Sequence, residues 1–348
     1  MRSWSSIGTW LIVLVAASLV SDRSVAQGPS AAATPSVAIA DIRAAVKRGL
    51  TALDKSAARY AEHRVCFSCH HQTLPLLAQK TAEAQGYAVN AALRQSQHAF
   101  SLKSFSHRTD DLRAGQGVGG RAMTVSYALW ALALTHHMPD ETSAALASYL
   151  LKTQRAEGNW IGQTCRPPLE ESYQTCTVLA IRGLERFTDE EQKDNARIAT
   201  DKARNWLLTA PAKSQEDKNS RLWGLYDFDS AEATREAALQ AVLSTQRADG
   251  GWAQLDEMDS DAYATGQTLF VLQAIGRAVA VDAYRRGMQF LVQNQRSDGA
   301  WLVETRSKAI QPYYDFDDED PLGKNQFISV VASSWAVAAL AAGQHASN

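Results

Sequence analysis

Three times the chain spells Gln-Arg-x-Asp/Glu-Gly-x-Trp, at 154–160, 246–252 and 295–301. Each copy closes an apolar stretch with helical spacing, and after a variable loop another such stretch follows. A recurring unit of this size means a repeat architecture, in which each unit buries its apolar face against its neighbours. The residue types suit such a junction. Asp-Gly makes a tight turn after a helix, with glycine free to take positive φ. The Gln amide can hold loop backbone groups, and Trp buries a large face between adjacent helices.

Apolar residues recurring at helical spacing, such as Leu239, Val242 and Leu243, predict six helix pairs. They are 40–60 with 73–85, 90–104 with 123–135, 141–153 with 172–186, 196–209 with 216–226, 231–245 with 261–277, and 282–294 with 328–342. The fourth pair has lost the repeat loop, with Ala210-Pro211 where Gln-Arg would stand, and the first two carry unrelated loops. Almost nothing alternates with period 2, so the fold class is all-α with essentially no sheet.

The three Gln-x-x-Asp/Glu-Gly-x-Trp loops make the chain resemble the squalene–hopene cyclase and protein-prenyltransferase β-subunit superfamily. That resemblance implies a single α/α toroid over residues 39–345, with six helices inside and six outside. It also points to the segment after Trp252. In squalene–hopene cyclases a similar loop ends in Asp-x-Asp-Asp-Thr-Ala, whose middle Asp protonates the substrate alkene. Asp259 and Asp261 match its first two acidic positions, and Ala262 stands at the last. The resemblance thus offers Asp261, with Asp259 beside it, as a general acid. The residues alone also allow a helix N-cap at Ser260 or Asp261. In prenyltransferases a zinc-binding His lies near the start of an inner helix; here Gln174 takes that place.

The sharpest chemical motif lies outside the repeats. Cys66-Phe67-Ser68-Cys69-His70 has the spacing of a c-type heme attachment site, in which both thiols add to the vinyl groups and the His ligates iron. Cys66, Cys69 and His70 are therefore the expected cofactor residues, with His107 the favoured distal ligand. A vicinal redox dithiol, a small zinc site including His70 or His71, and a structural disulfide are the alternatives. Residues 1–26 support export: Arg2, an apolar run at 9–20 and Ser24-Val25-Ala26 form a secretory signal cleaved after about Ala26. A flexible leader at 27–38 follows, and no later run is expected to cross a membrane. The mature protein is then periplasmic or secreted, where Cys165 and Cys176 form either a disulfide or two buried thiols. Asp315, Asp317, Asp318, Glu319 and Asp320 form an acidic loop, solvated or Ca²⁺-binding. A net charge of -2 argues against nucleic acid as a partner.

The expectation is an exported, heme-c-bearing toroid. It would serve electron transfer with a redox partner protein, or redox chemistry on an apolar ligand in the ring. The alternatives are an isoprenoid or triterpene cyclase using Asp261, and a non-catalytic binding toroid with zinc or a disulfide at Cys66 and Cys69.

Overall fold

A computed structural model of the chain describes residues 37–162, 166–277, 282–307 and 323–344. The signal segment, most of the leader, Cys165 and the acidic loop at 315–320 lie outside the described residues. Thirteen helices run through the described part: α1 Ile39–His63, α2 Leu74–Ala84, α3 Ala91–Ser106, α4 Thr109–Arg113, α5 Arg121–Leu134, α6 Glu141–Thr153, α7 Tyr173–Phe187, α8 Lys193–Thr209, α9 Gln215–Asp227, α10 Glu232–Leu243, α11 Ala262–Ala274, α12 Asp282–Gln293 and α13 Gln326–Gly343. Among the described residues the only β pairing is an isolated antiparallel bridge between Trp252 and Asp261.

The helices α2, α5, α7, α9, α11 and α13 pack on one another in chain order, and α13 returns onto α2 to close a ring. The other long helices, α1, α3, α6, α8, α10 and α12, pack outside against them. The sequence explains who goes where. An outer helix such as α12 turns Tyr284, Met288 and Leu291 inward and leaves Arg285 toward water, while the half-buried Arg286 bonds Gln246 of the preceding repeat loop. Among the inner helices, α9 carries Gln215, Glu216, Asp217, Asn219 and Ser220 into the buried interior, while α5, α11 and α13 are apolar nearly all round and buried over most of their length. The extreme case is α13, in a stretch Gly323–Gly343 long and apolar enough to cross a bilayer. Its sides are covered by α1, α2, α11 and α12, so it differs from the expectation that no such run exists, and its apolar length is spent on the core of the ring.

The repeat loops are the clasps of this ring. The indole N–H groups of Trp160, Trp252 and Trp301 donate to the carbonyls of Leu150, Val242 and Leu291, at 2.8, 2.9 and 2.8 Å, capping the outer helix just ended. All three rings are fully buried, and losing such a side chain costs about 3–5 kcal/mol. Their backbone N–H groups donate to hydroxyls of the next inner helix, Thr177, Thr265 and Ser333. Each Gln amide reaches two ways. Gln154 donates to Gly158 and Ala199, Gln246 to Gly250 and Ala283, and Gln295 to Gly299 and Ala45. The second partner always belongs to the following outer helix, and for Gln295 that helix is α1, so this amide helps close the circle. Gly250 has φ +88°, and a Cβ there would lie 2.8 Å from the Arg286 carbonyl oxygen. Glycine is required by conformation and by close approach. Where the fourth pair lacks the loop, Arg221 of α9 donates instead to the carbonyls of Leu207 and Leu208 at the end of α8, at 2.9 and 2.6 Å.

Candidate functional site

The inner helices begin at one end of the ring, because hydrogen bonds and ring contacts join their first turns. Thr175 at the start of α7 and Tyr263 at the start of α11 both donate to Glu216 at the start of α9, each at 2.8 Å. His70, just before α2, meets the ring of Phe327 at the start of α13, 5.9 Å away. Two groups of reactive side chains sit at this mouth.

The first group centres on Glu216, which is buried. Burial pushes its carboxyl up to about 8, against the hydrogen bonds from Thr175 and Tyr263, which favour the anion. It is therefore protonated at neutral pH. Nothing in the sequence marked it: it stands between the cap residue Ser214 and Asp217 of a capping box, in what reads as an ordinary first turn. Below it the ring interior is filled by aromatic side chains. Trp130 meets Trp223 at 5.8 Å and Trp335 at 6.1 Å, and Phe270 meets Trp223 at 5.7 Å and Trp335 at 5.3 Å. The guanidinium of Arg182 lies 3.7 Å over the Trp223 ring. Only about 10 Å³ of space remains among Tyr127, Trp130, Thr175, Trp223 and Trp335, room for about one water.

Asp261 is the N-cap of α11: its carboxylate accepts from the Ala264 N–H and from the Gln254 amide, both at 2.8 Å. Burial of the carboxyl pushes it up to about 6, so at pH 7 only about a tenth of it carries a proton. Asp259 is exposed. Asp261 thus caps the start of α11, as the residues alone allowed, and of the two buried carboxyls that of Glu216 is pushed further toward its protonated form. The amide of Gln254 joins Asp261 to Arg306, which bonds Glu171 at 2.9 Å. Beside this network a groove of about 560 Å³ is lined by Glu170, Tyr173, Gln174, Trp206, Lys213 and Asp217, among others. Gln174, at the position of a zinc-binding His in prenyltransferases, donates to the Pro211 carbonyl at 2.6 Å.

The second group is the Cys-x-x-Cys-His loop. Ser68 caps one π-helical turn, Cys69–Thr73, by accepting from the His71 N–H at 3.0 Å, and α2 continues from it. Such turns are frequent at functional sites. Cys66 is exposed and Cys69 buried, and neither is in a disulfide. Burial pushes the Cys69 thiol far up, with Glu170 nearby adding to it. It also holds His70 well below the usual imidazole range, so that ring is neutral. The Nδ1 atoms of His70 and His71 face each other. Tyr60 of α1 places its hydroxyl 3.6 Å from the Cys66 sulfur. A cavity of about 280 Å³ opens here, lined by Tyr60, Cys66, Phe67, Cys69, His70, Phe105, Arg108, Val118 and Arg166, among others.

Without ligand, this open cavity is smaller than a porphyrin. Sites for ordinary small molecules hold about 300–1,000 Å³; a porphyrin needs the upper part of that range, and this space falls below the lower. The His70 ring is packed between Tyr60, His71 and Phe327. His107 is exposed and donates from Nδ1 to the Lys103 carbonyl at 3.2 Å, and it is not among the cavity residues. For zinc, no group of three or more His, Cys, Asp or Glu side chains converges among the described residues. Cys176 is a buried free thiol.

No family model and no curated protein sequence matches the chain. Solved structures do match its fold. The apo type II terpene cyclase MstE from Scytonema is 12% identical with a TM-score of 0.56, covering 88% of this chain and 99% of that one. A variant of the same cyclase in complex with merosterolic acid A (product) is 14% identical with a TM-score of 0.57, covering 88% and 98%. A glycosidase variant in complex with glucose is 12% identical with a TM-score of 0.57, also covering 88% and 98%. The fold is that of the terpene cyclase-like helical toroids.

Proposed function

We propose that the protein is an acid–base enzyme related in chemistry to the isoprenoid cyclases, with Glu216 in place of Asp261 as its proton donor. The observation that carries this reading is a carboxylic acid kept protonated at neutral pH above an aromatic-lined ring interior. A donor must hold its proton at the working pH, and the more strongly raised carboxyl of Glu216 does so more fully than that of Asp261. A weak acid protonates an alkene only if the resulting cation is stabilised, and the faces of Trp130, Trp223, Phe270 and Trp335 supply that. Arg182, already over Trp223, is the competitor such a cation must displace. The interior holds about 10 Å³ without ligand, so a substrate binds by turning these rings aside.

The test is to incubate the purified protein with squalene and geranylgeranyl compounds, analyse products by mass spectrometry, and follow tryptophan fluorescence. Cyclised product and a fluorescence change are expected with wild type, and no product with Glu216→Gln. A Glu216→Gln protein that turns over normally would sink the assignment. The groove of about 560 Å³, with Tyr173 and Trp206 beside carboxylates, favours a second reading, hydrolysis of a glycoside. Wild type cleaving aryl glycosides and leaving isoprenoids untouched would select it.

A further inference from the structure

The loop at Cys66 has a job that acid–base chemistry in the ring does not use. Its two sulfurs line one open cavity yet differ in access: Cys66 is exposed and Cys69 is buried at the first residue of the π-turn. That asymmetry suits a two-step exchange, in which one thiol meets an incoming molecule and the other waits behind it. The approach is apolar. Val65, the residue before Cys66, is 92% exposed, and Phe67 and Phe105 form the walls. Arg108, Arg166 and Glu170 stand at the same cavity, with Arg166 paired to Glu170 at 3.5 Å, so a leaving thiolate meets charges of both signs.

We propose that Cys66 and Cys69 form a thiol–disulfide exchange site acting on disulfides of peptides or small molecules. In the first step the Cys66 thiolate attacks one sulfur of a disulfide R–S–S–R′. A Cys66–S–S–R bond forms, the S–S bond breaks, and R′–S⁻ leaves and is protonated by water. In the second step the Cys69 sulfur, having lost its proton to water, attacks the Cys66 sulfur. The Cys66–Cys69 disulfide forms and R–S⁻ leaves. The protein dithiol is oxidised by two electrons and the substrate disulfide is reduced by two. The reverse direction oxidises a substrate dithiol. Cys69 stays out of the first step because it is buried where an incoming disulfide does not reach it, whereas Cys66 is exposed.

The experiment uses the purified mature chain. A visible spectrum comes first, because covalently attached heme would occupy both sulfurs and overturn the proposal. The reduced protein is then treated with oxidised glutathione and, separately, with a disulfide-bonded peptide, and sites are mapped by mass spectrometry. Wild type should end with a Cys66–Cys69 disulfide. Cys69→Ala should stop at a mixed disulfide on Cys66, and Cys66→Ala should lose all reaction at this loop. Cys176→Ala, which removes a thiol outside the cavity, should behave as wild type. Glutathione reacting and the peptide not would assign the site to small disulfides; the converse would assign it to peptides. Cys66→Ala that still reacts at Cys69, or Cys69→Ala that fails to trap the mixed disulfide while circular dichroism shows it folded, would overturn the proposal.

Discussion

Replacing Glu216 with Gln should change how stability depends on pH. In the unfolded chain a Glu ionises near 4.5; in the folded protein burial keeps Glu216 protonated up to about 8. The folded state therefore holds one more proton than the unfolded state between these values. Stability falls as pH rises through that window, at about 1.4 kcal/mol per pH unit, and is unaffected by this group below pH 4.5. Across the window the loss reaches on the order of 5 kcal/mol, a figure already net of the bonds from Thr175 and Tyr263, which favour the anion. Glu216→Gln is neutral throughout. Urea denaturation of both proteins at half-unit steps from pH 4.5 to 8.5 measures the effect. The wild-type curve should drop relative to the variant by several kcal/mol, with the variant the more stable above pH 7. Taking the difference removes other groups, Asp261 among them. Parallel curves for the two proteins would refute the claim that Glu216 is a protonated buried acid, and with it the proposed proton donor.

Gln295→Ala leaves the buried carbonyls of Ala45 and Gly299 without the amide that spans them; at about 1 kcal/mol per hydrogen bond it should cost about 2 kcal/mol in denaturant titration, and a loss under about 0.5 kcal/mol would mean that this clasp does not help close the ring. Gly250→Ala meets both a positive φ of +88° and the Arg286 carbonyl oxygen at 2.8 Å, and should lower the free energy of unfolding by at least about 1 kcal/mol; a neutral result would show that the turn is free to move. Asp261→Ala removes an N-cap and should cost about 1 kcal/mol, whereas Asp261→Asn keeps a cap acceptor and should retain both fold and any Glu216-dependent turnover. Loss of turnover in folded Asp261→Asn would return Asp261 to the role of acid.

The local repeat was legible because its parts are local. Gln, Asp-Gly and Trp lie within seven residues, and each does within its loop what its chemistry predicts: the amide bonds the glycine carbonyl, glycine takes positive φ, and the indole caps the helix it follows. The helix pairs were legible for a similar reason, since apolar spacing reports which face of each segment is buried. The loop at Cys66 was legible as reactive, but its partner was not. The same five residues serve a heme, a metal or a dithiol, and the choice depends on how much space α1, α3, α5 and the Arg166 loop leave around them.

The order and kind of the helices, and the three clasps between them, were therefore determined by the chain itself, because periodicity and turn chemistry act over a few residues. Which carboxyl holds a proton was decided only by tertiary structure. Asp261 sits in the motif that looks catalytic, yet caps a helix. Glu216 sits in a commonplace first turn, yet is surrounded by Thr175 and Tyr263, 41 and 47 residues away, with little water to solvate its charge. A pKa is set by burial and by neighbours, and in a closed ring those neighbours come from helices far apart in the sequence.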